Sequence, residues 1–533
     1  MRFPLLSLLF LTKFVSAGHA HHNAHVNDSS RLSVKTLTGT YTGLIDVEFN
    51  KTRQFRSIAF AEPPIQARRW LPPQRLPPSD EARNALELPP SCPQFVSSVP
   101  SLLSTYFADG ALIYNGAQNH TAGFVGAATS EDCLYLTVST PANATVNSKL
   151  PVLVFLPGGG FQNGGVNSGY YNPTSWIERS QSHIVVTVNY RVNIFGFPNA
   201  PGLKEQNLGI LDQRMAMEWV RDNIVWFGGD PAAITQWGQS AGSMSSDIHA
   251  HAFHEDPVAR AYFLMSGTVF SGPAVTDTTF SNFTFVAQRF GCEAGEGNSS
   301  VAVLDCMRDV PFENITNFVG KYGDSGASPT LSFLPVVDDH IIFTDYAGRA
   351  SAGKVARLPV VLSNTANEAS SLVPFPADDP TAGYPQEVIL GVELAGFICP
   401  TYISTLERNN VSVPVYRYQY AGTYPNLNPL AWTGAYHGED IPMVFGTYDF
   451  IKGMGEVPQL EVETSRAMQE HVLAFIRDPL YGPQKLGWRA VDARNPQNGT
   501  LIRFGTGGKA IEYVNSLEVD GVCQGRGDYN AFP

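Results

Sequence analysis

Five short apolar runs recur along the chain: PVLVFL at 151–156, HIVVTVNY at 183–190, AITQW at 233–237, LPVVLSN at 358–364 and VPVYRYQY at 413–420. They are continuous rather than alternating, and rich in β-branched residues. That pattern predicts strands covered on both faces, hence a mostly parallel central sheet. Between the second and third runs the period becomes helical. Ala216, Met217, Val220, Ile224 and Phe227 make one apolar stripe, while Arg214, Glu218 and Arg221 fall on the opposite face. Gly228 and Gly229 then stop the helix. Neither an internal repeat nor a long linker interrupts this order. Residues 18–533 therefore read as one α/β domain, a sheet flanked by helices.

The third run leads into Gly238-Gln239-Ser240-Ala241-Gly242. With 48 glycines in 533 residues the pattern alone carries little, so its position decides. Here a strand ends and a new segment begins. Gly238 lets the chain turn sharply, and Gly242 lets the next helix pack close. A serine between them is forced into a strained, exposed conformation suited to a nucleophile.

A serine hydroxyl needs a base, and the base needs an orienting acid. In open α/β sheets such groups gather beyond the carboxyl ends of strands. Two loops qualify: SNTANEASS after the run at 358–364 offers Glu368, and GAYHGEDIPMVFG after the run at 413–420 offers His437. Donors for a tetrahedral oxyanion come from LPGGGF, where Gly159 and Gly160 follow a strand, together with the Ala241 amide. The order Ser, Glu, His is that of the α/β-hydrolase fold.

Composition narrows the setting. Charged residues are 16% of the chain and the formal net charge is −13, which argues against nucleic acid as a partner. The N-terminus combines Arg2, an apolar stretch at Leu5–Phe10 and small residues at Val15-Ser16-Ala17, so residues 1–17 read as a secretory signal peptide. The polar tail from His19 to His25 reads as a leftover of processing. No later apolar run approaches the ~20 residues of a membrane span. Six cysteines suit three disulfides in an exported protein, and no Cys-x-x-Cys pair points to zinc. Nine acceptor sites, Asn27, Asn50, Asn119, Asn143, Asn282, Asn298, Asn314, Asn410 and Asn498, suggest a glycoprotein. GDSG at 323–326 imitates a protease nucleophile loop, but the all-β pattern and the order His, Asp, Ser are missing.

The segments FRSIAFAEPP (55–64), SEDCLYLTV (130–138), PGGGF (157–161), VNYRVNIFGF (188–197), FGGDP (227–231), GQSAG (238–242) and YHGEDIPMVFG (436–446) resemble, in this order, the type-B carboxylesterase/lipase family of cholinesterases and fungal lipases. The resemblance implies Ser240 as nucleophile, Glu368 as acid and His437 as base, with Gly159, Gly160 and Ala241 as the oxyanion hole. It implies Ser266 as a support for the acid, and the pairs Cys92–Cys133, Cys292–Cys306 and Cys399–Cys523. The chain departs from the family where Gln239 replaces the usual Glu, Pro157 replaces His or Tyr, Ala369 replaces Gly, and the stretch from Glu368 to Cys399 is short.

The expected activity is cleavage of small-molecule carboxylic esters outside the cell, without metal or organic cofactor. Oligomeric state is not fixed by the sequence. The Cys92–Cys133 loop carries Phe95, Val99, Leu102, Leu103, Tyr106, Phe107, Leu112, Ile113 and Tyr114, which predicts an apolar mouth. The short stretch after Glu368 predicts an open pocket wall, and so short- to medium-chain or bulky esters. Long-chain lipase or sterol esterase activity, acyl transfer in a biosynthetic pathway, and a non-catalytic adhesion role are the alternatives.

Overall fold

The computed structural model describes residues 32–111, 129–272, 277, 279–293, 299–495 and 499–533. Its strands are β1 Ser33–Thr36, β2 Gly39–Thr42, β3 Leu44–Ile45, β4 Thr52–Ala59, β5 Ala82–Asn84, β6 Tyr135–Pro141 and β7 Leu150–Leu156, then β8 Ile184–Val188, β9 Gly229–Gln239, β10 Ala261–Met265, β11 Val360–Thr365, β12 Val415–Tyr420, β13 Thr500–Phe504 and β14 Ile511–Asn515. β1, β2 and β5 form a small sheet. The other eleven form one sheet in the order β14-β13-β12-β11-β10-β9-β7-β8-β6-β4-β3. From β8 to β13 the neighbours are parallel, and only the pairs at the two ends are antiparallel.

The five predicted runs are β7, β8, β9, β11 and β12. The alternation of β7 explains their continuous apolar character. Val152, Val154 and Leu156 pack into one core cluster with Met217 and Val220, while Leu153 and Phe155 pack into another with Trp176, Trp237 and Phe475. A strand covered on both faces has no polar side to show. Helix α1 (Leu208–Asn223) lies on the first face, and its predicted stripe is buried through Ile224 and Phe227. Gly228 ends the segment in the left-handed conformation at φ +95°. Helix α4 (Gln459–Arg477) covers the other face with Met468, Val472, Leu473 and Ile476. Between them in sequence lie α2 (Ala241–Ala252) and α3 (Gln386–Asn410), the latter with one π turn over Leu394–Ile398.

By length and composition α3 is the one helix among the described residues apolar enough to cross a membrane. In the fold its inner side is buried and includes Glu393, Ile398, Thr401, Ser404 and Arg408, as in a core helix of a globular domain. The three disulfides join Cys92 to Cys133, Cys292 to Cys306 and Cys399 to Cys523, the pairs the resemblance implied. Asn50, Asn143, Asn314 and Asn410 are exposed. Asn282 is half-buried and donates to the Ser332 carbonyl at 2.9 Å. The signal peptide, the His-rich tail, Asn27, Asn119, Asn298, Asn498, Leu112, Ile113 and Tyr114 lie outside the described residues.

Candidate active site

Strand β9 ends at Gln239 and α2 begins at Ala241, leaving Ser240 alone to make the turn. Its backbone sits at φ 56°, ψ −125°, a strained conformation for a residue with a side chain. The neighbours enforce it. A Cβ on Gly238 would lie 2.1 Å from the Gly242 carbonyl oxygen, and one on Gly242 would lie 1.9 Å from that of Leu156. Backbone therefore touches backbone on both sides of the serine. The Ser240 amide donates to the Met265 carbonyl at 2.8 Å, which ties the turn to β10.

Glu368 stands in a short turn beyond β11, and His437 in a loop beyond β12. The Glu368 carboxylate accepts from the Thr365 amide at 2.7 Å through Oε1 and from His437 Nδ1 at 2.6 Å through Oε2. With its proton on Nδ1, the imidazole presents Nε2 as an acceptor. Gln239 Nε2 lies 3.2 Å from that nitrogen and donates to it. Ser240 Oγ makes no hydrogen bond to it, and such catalytic contacts tighten when substrate binds. Main-chain bonds lock the two loops together. The Asn367 amide donates to the Ala435 carbonyl at 2.9 Å and the His437 amide to the Glu368 carbonyl at 3.3 Å. Asn367 Nδ2 and Ser370 Oγ both donate to the Thr433 carbonyl. The Phe397 ring packs 5.1 Å from the imidazole.

Gly159 and Gly160 follow β7 at φ +117° and +61°. A Cβ on Gly159 would collide with the Asn163 carbonyl oxygen at 2.3 Å, whereas Gly160 faces open space. Ala241 is the first residue of α2, where amides lack helical partners and the helix dipole is positive. Among the described residues nothing accepts from the amides of Gly159, Gly160 or Ala241. A cavity of about 540 Å³ opens from this point, lined by Ser240 and Ala241 at one end. Its walls include Phe161, Met244, Ile248, Val269, Phe270 and Ile342. His437 does not line it.

Two expectations change here. Ser266 does not reach the acid: its hydroxyl is buried without a hydrogen-bond partner, while the carboxylate accepts from the Thr365 amide and the imidazole. The Cys92–Cys133 loop contributes no described residue to the cavity. Leu102 and Phe107 are spent on core packing instead, with Phe107 stacked on Tyr436 at 5.8 Å. Of the short stretch after Glu368 no residue lines this cavity, whose walls include the segment 334–347. The sequence reading also passed over Glu393 and Phe397, although one acid inside LGVELAGFI is a visible anomaly in an apolar helix. Among the described residues no cluster of His, Cys, Asp and Glu is arranged to hold a metal.

Several carboxyls near the triad are buried. Burial, with help from Glu368, pushes Asp440 up to about 8, and burial drives Glu439 and Glu393 well above the usual range. Burial also holds His183 and His249 down at about 3. The folded state thus binds more protons than the unfolded chain at the carboxyls, and fewer at the histidines. Between about pH 4 and 6.5 the two effects oppose each other. Above that window the histidine effect is spent, and each raised carboxyl withdraws about 1.4 kcal/mol per pH unit until it ionises. The melting temperature should therefore be higher at pH 6 than at pH 8.5. A rise across that interval, measured by calorimetry, would contradict the buried neutral carboxyls.

Gln239 generates a second prediction. As an amide it donates to His437 Nε2 without adding charge. Gln239→Glu would set a carboxylate there and favour the imidazolium, moving the acidic limb of kcat/KM to higher pH by about one unit. An unmoved limb would show that residue 239 does not face the working base.

The carboxylesterase family model matches residues 30–389. Chlorogenic acid esterase of Aspergillus niger is 36% identical over 98% of this chain and 100% of its own length. Secreted lipase 5 of Gibberella zeae is 32% identical over 93% of this chain and 94% of its own. Acetylcholinesterase of Bungarus fasciatus is 26% identical over 88% and 82%. A strained serine between two backbone-packed glycines, beside a carboxylate-bound histidine and three unengaged amides, thus sits in a chain that belongs to the carboxylesterase family of α/β-hydrolases and is a carboxylic ester hydrolase.

Proposed function

We propose that the chain is a secreted serine esterase whose nucleophile is Ser240, whose base is His437 and whose acid is Glu368. The observation that carries this reading is the meeting of three features at Ser240: the strained turn, the row of free amides and the mouth of the cavity. His437 Nε2 takes the serine proton as Oγ attacks the ester carbonyl. The negative oxygen turns to the amides of Gly159, Gly160 and Ala241. Glu368 holds the imidazole and stabilises its charged form. His437 then protonates the leaving alcohol, and water cleaves the acyl-enzyme by the same route. Every group comes from the chain itself. The disulfides, and the relatives named as secreted, support an extracellular setting.

The same geometry assigns the cavity. The leaving alcohol must lie near His437, which protonates it, so the acyl group points the other way. The cavity meets Ser240 and Ala241 but not His437, and is therefore the acyl site. At about 540 Å³ it has the size of a small-molecule pocket. Phe161, Phe270, Phe343 and Tyr346 give it aromatic walls. We assign it to bulky or aromatic acyl groups and to aliphatic chains of short to medium length. The relatives named as lipases favour the second reading, long-chain esters.

Ser240→Ala should lower kcat by about 10⁴-fold or more while leaving the melting temperature nearly unchanged. Retention of a tenth of the activity would sink the triad. On a panel of p-nitrophenyl esters and chlorogenic acid, kcat/KM should be highest for aromatic acyl groups and for chains of roughly two to eight carbons. A steady climb to long chains would identify a lipase instead.

A further inference from the structure

Glu393 lies on the inner side of α3, fully buried, where no lysine or arginine among the described residues pairs with it. Its Oε2 accepts from the Ala369 amide at 2.9 Å, the residue next to the proposed acid. Phe397, four residues on, faces the same way and packs on His437. Glu393 stands just before the π turn Leu394–Ile398 and Phe397 within it, a distortion often found at functional sites. One helix thus reaches both the acid and the base.

The second oxygen of Glu393 makes no hydrogen bond. The groups that face the carboxyl are the Glu368 amide and carboxylate on the acid turn, and the Tyr529 hydroxyl on the C-terminal segment. The direction of each hydrogen bond around that hydroxyl is fixed. Arg503 on β13 can only donate, and its Nε donates to Gln419 Oε1 at 2.8 Å. Gln419 on β12 must then present its amide nitrogen to the Tyr529 oxygen, at 3.0 Å. Tyr529 gives its single proton to the Ala366 carbonyl at 2.9 Å, an acceptor only. Toward Glu393 the hydroxyl therefore has a lone pair and no proton to offer. A carboxylate there would face a lone pair on one side and the Glu368 carboxylate on the other. A carboxylic acid offers its one proton to the hydroxyl and sets no second anion beside Glu368.

We propose that Glu393 is a positioning residue of the triad that acts in its protonated form. One oxygen anchors the turn carrying Glu368 through the Ala369 amide, and the other turns its proton toward the Tyr529 hydroxyl oxygen. Burial and the adjacent Glu368 carboxylate push its carboxyl in the same direction. A neutral carboxyl here keeps two buried anions from standing side by side. It leaves Glu368 as the one anion at the imidazole, on a turn that cannot tilt. This role rests on the triad proposed above.

The test compares Glu393→Gln and Glu393→Leu with the wild type and with Ser240→Ala on one p-nitrophenyl ester, across pH. Glutamine keeps an acceptor for Ala369 and a donor for Tyr529, and leucine keeps neither. Glu393→Leu should lose about ten- to a hundredfold in kcat with KM little changed, the cost of a misplaced catalytic group. Glu393→Gln should restore most of that rate, with its acidic limb within about 0.3 pH units of wild type. A limb displaced by about one unit in Glu393→Gln would mean that a charge had been removed, and would overturn the proposal. So would wild-type kcat in Glu393→Leu, or a Glu393→Gln chain that fails to fold. If Glu393→Leu is unfolded, the limb of Glu393→Gln decides alone. An active Ser240→Ala would instead remove the triad, which keeps the two failures apart.

Discussion

Where β7, β9 and α2 meet, backbone packs directly on backbone, and the rest of the site depends on that contact. Gly242 brings α2 against the end of β7, and Gly238 brings the end of β9 against α2. A methyl group at either place would meet a backbone oxygen at 2.1 or 1.9 Å and force the elements apart. Because they touch, the Ala241 amide and the glycines after β7 stand at one place. Ser240 has no conformation left but the strained one. The energy stored in that turn is offset by the surrounding core, where Trp237 on β9 is stacked between Phe263 and Phe445.

The acid and the base are held by a different principle. Their loops come from neighbouring parallel strands, and they are laced by main-chain bonds rather than by the triad itself. The 2.6 Å contact between Glu368 and His437 is thus a result of the lacing and not its cause. Behind it stands a layer of buried carboxyls with few cations, an arrangement that burial makes neutral rather than anionic.

The sheet and the nucleophile turn were legible in the sequence because their signals are local. Runs covered on both faces are apolar throughout, and the turn needs glycines at fixed offsets from one serine. β10 carried the same signal in AYFLM, five residues all buried, and was passed over. The outer strands, β3 and β4 at one end of the sheet and β13 and β14 at the other, gave weaker signals, since antiparallel pairs near an edge tolerate polar residues. The cavity walls at 334–347 have no period at all, because those residues line a space set by other elements. Leu102 and Phe107 misled for the converse reason: an apolar loop residue reads the same whether it faces substrate or core. Glu393 acquires its meaning only when α3, the acid turn and the C-terminal segment are brought together.

The C-terminal segment has a consequence for how such an enzyme is inactivated. Cys523 ties it to α3, and Tyr529 is buried against Ala366. Between the two, Gly525 to Asp528 are exposed, with Arg526 in their midst. A trypsin-like protease that nicked the chain there would leave the disulfide, the sheet and the triad in place, yet free Tyr529 to leave its site. Such a cut acts as a remote off-switch, reached without touching a triad residue.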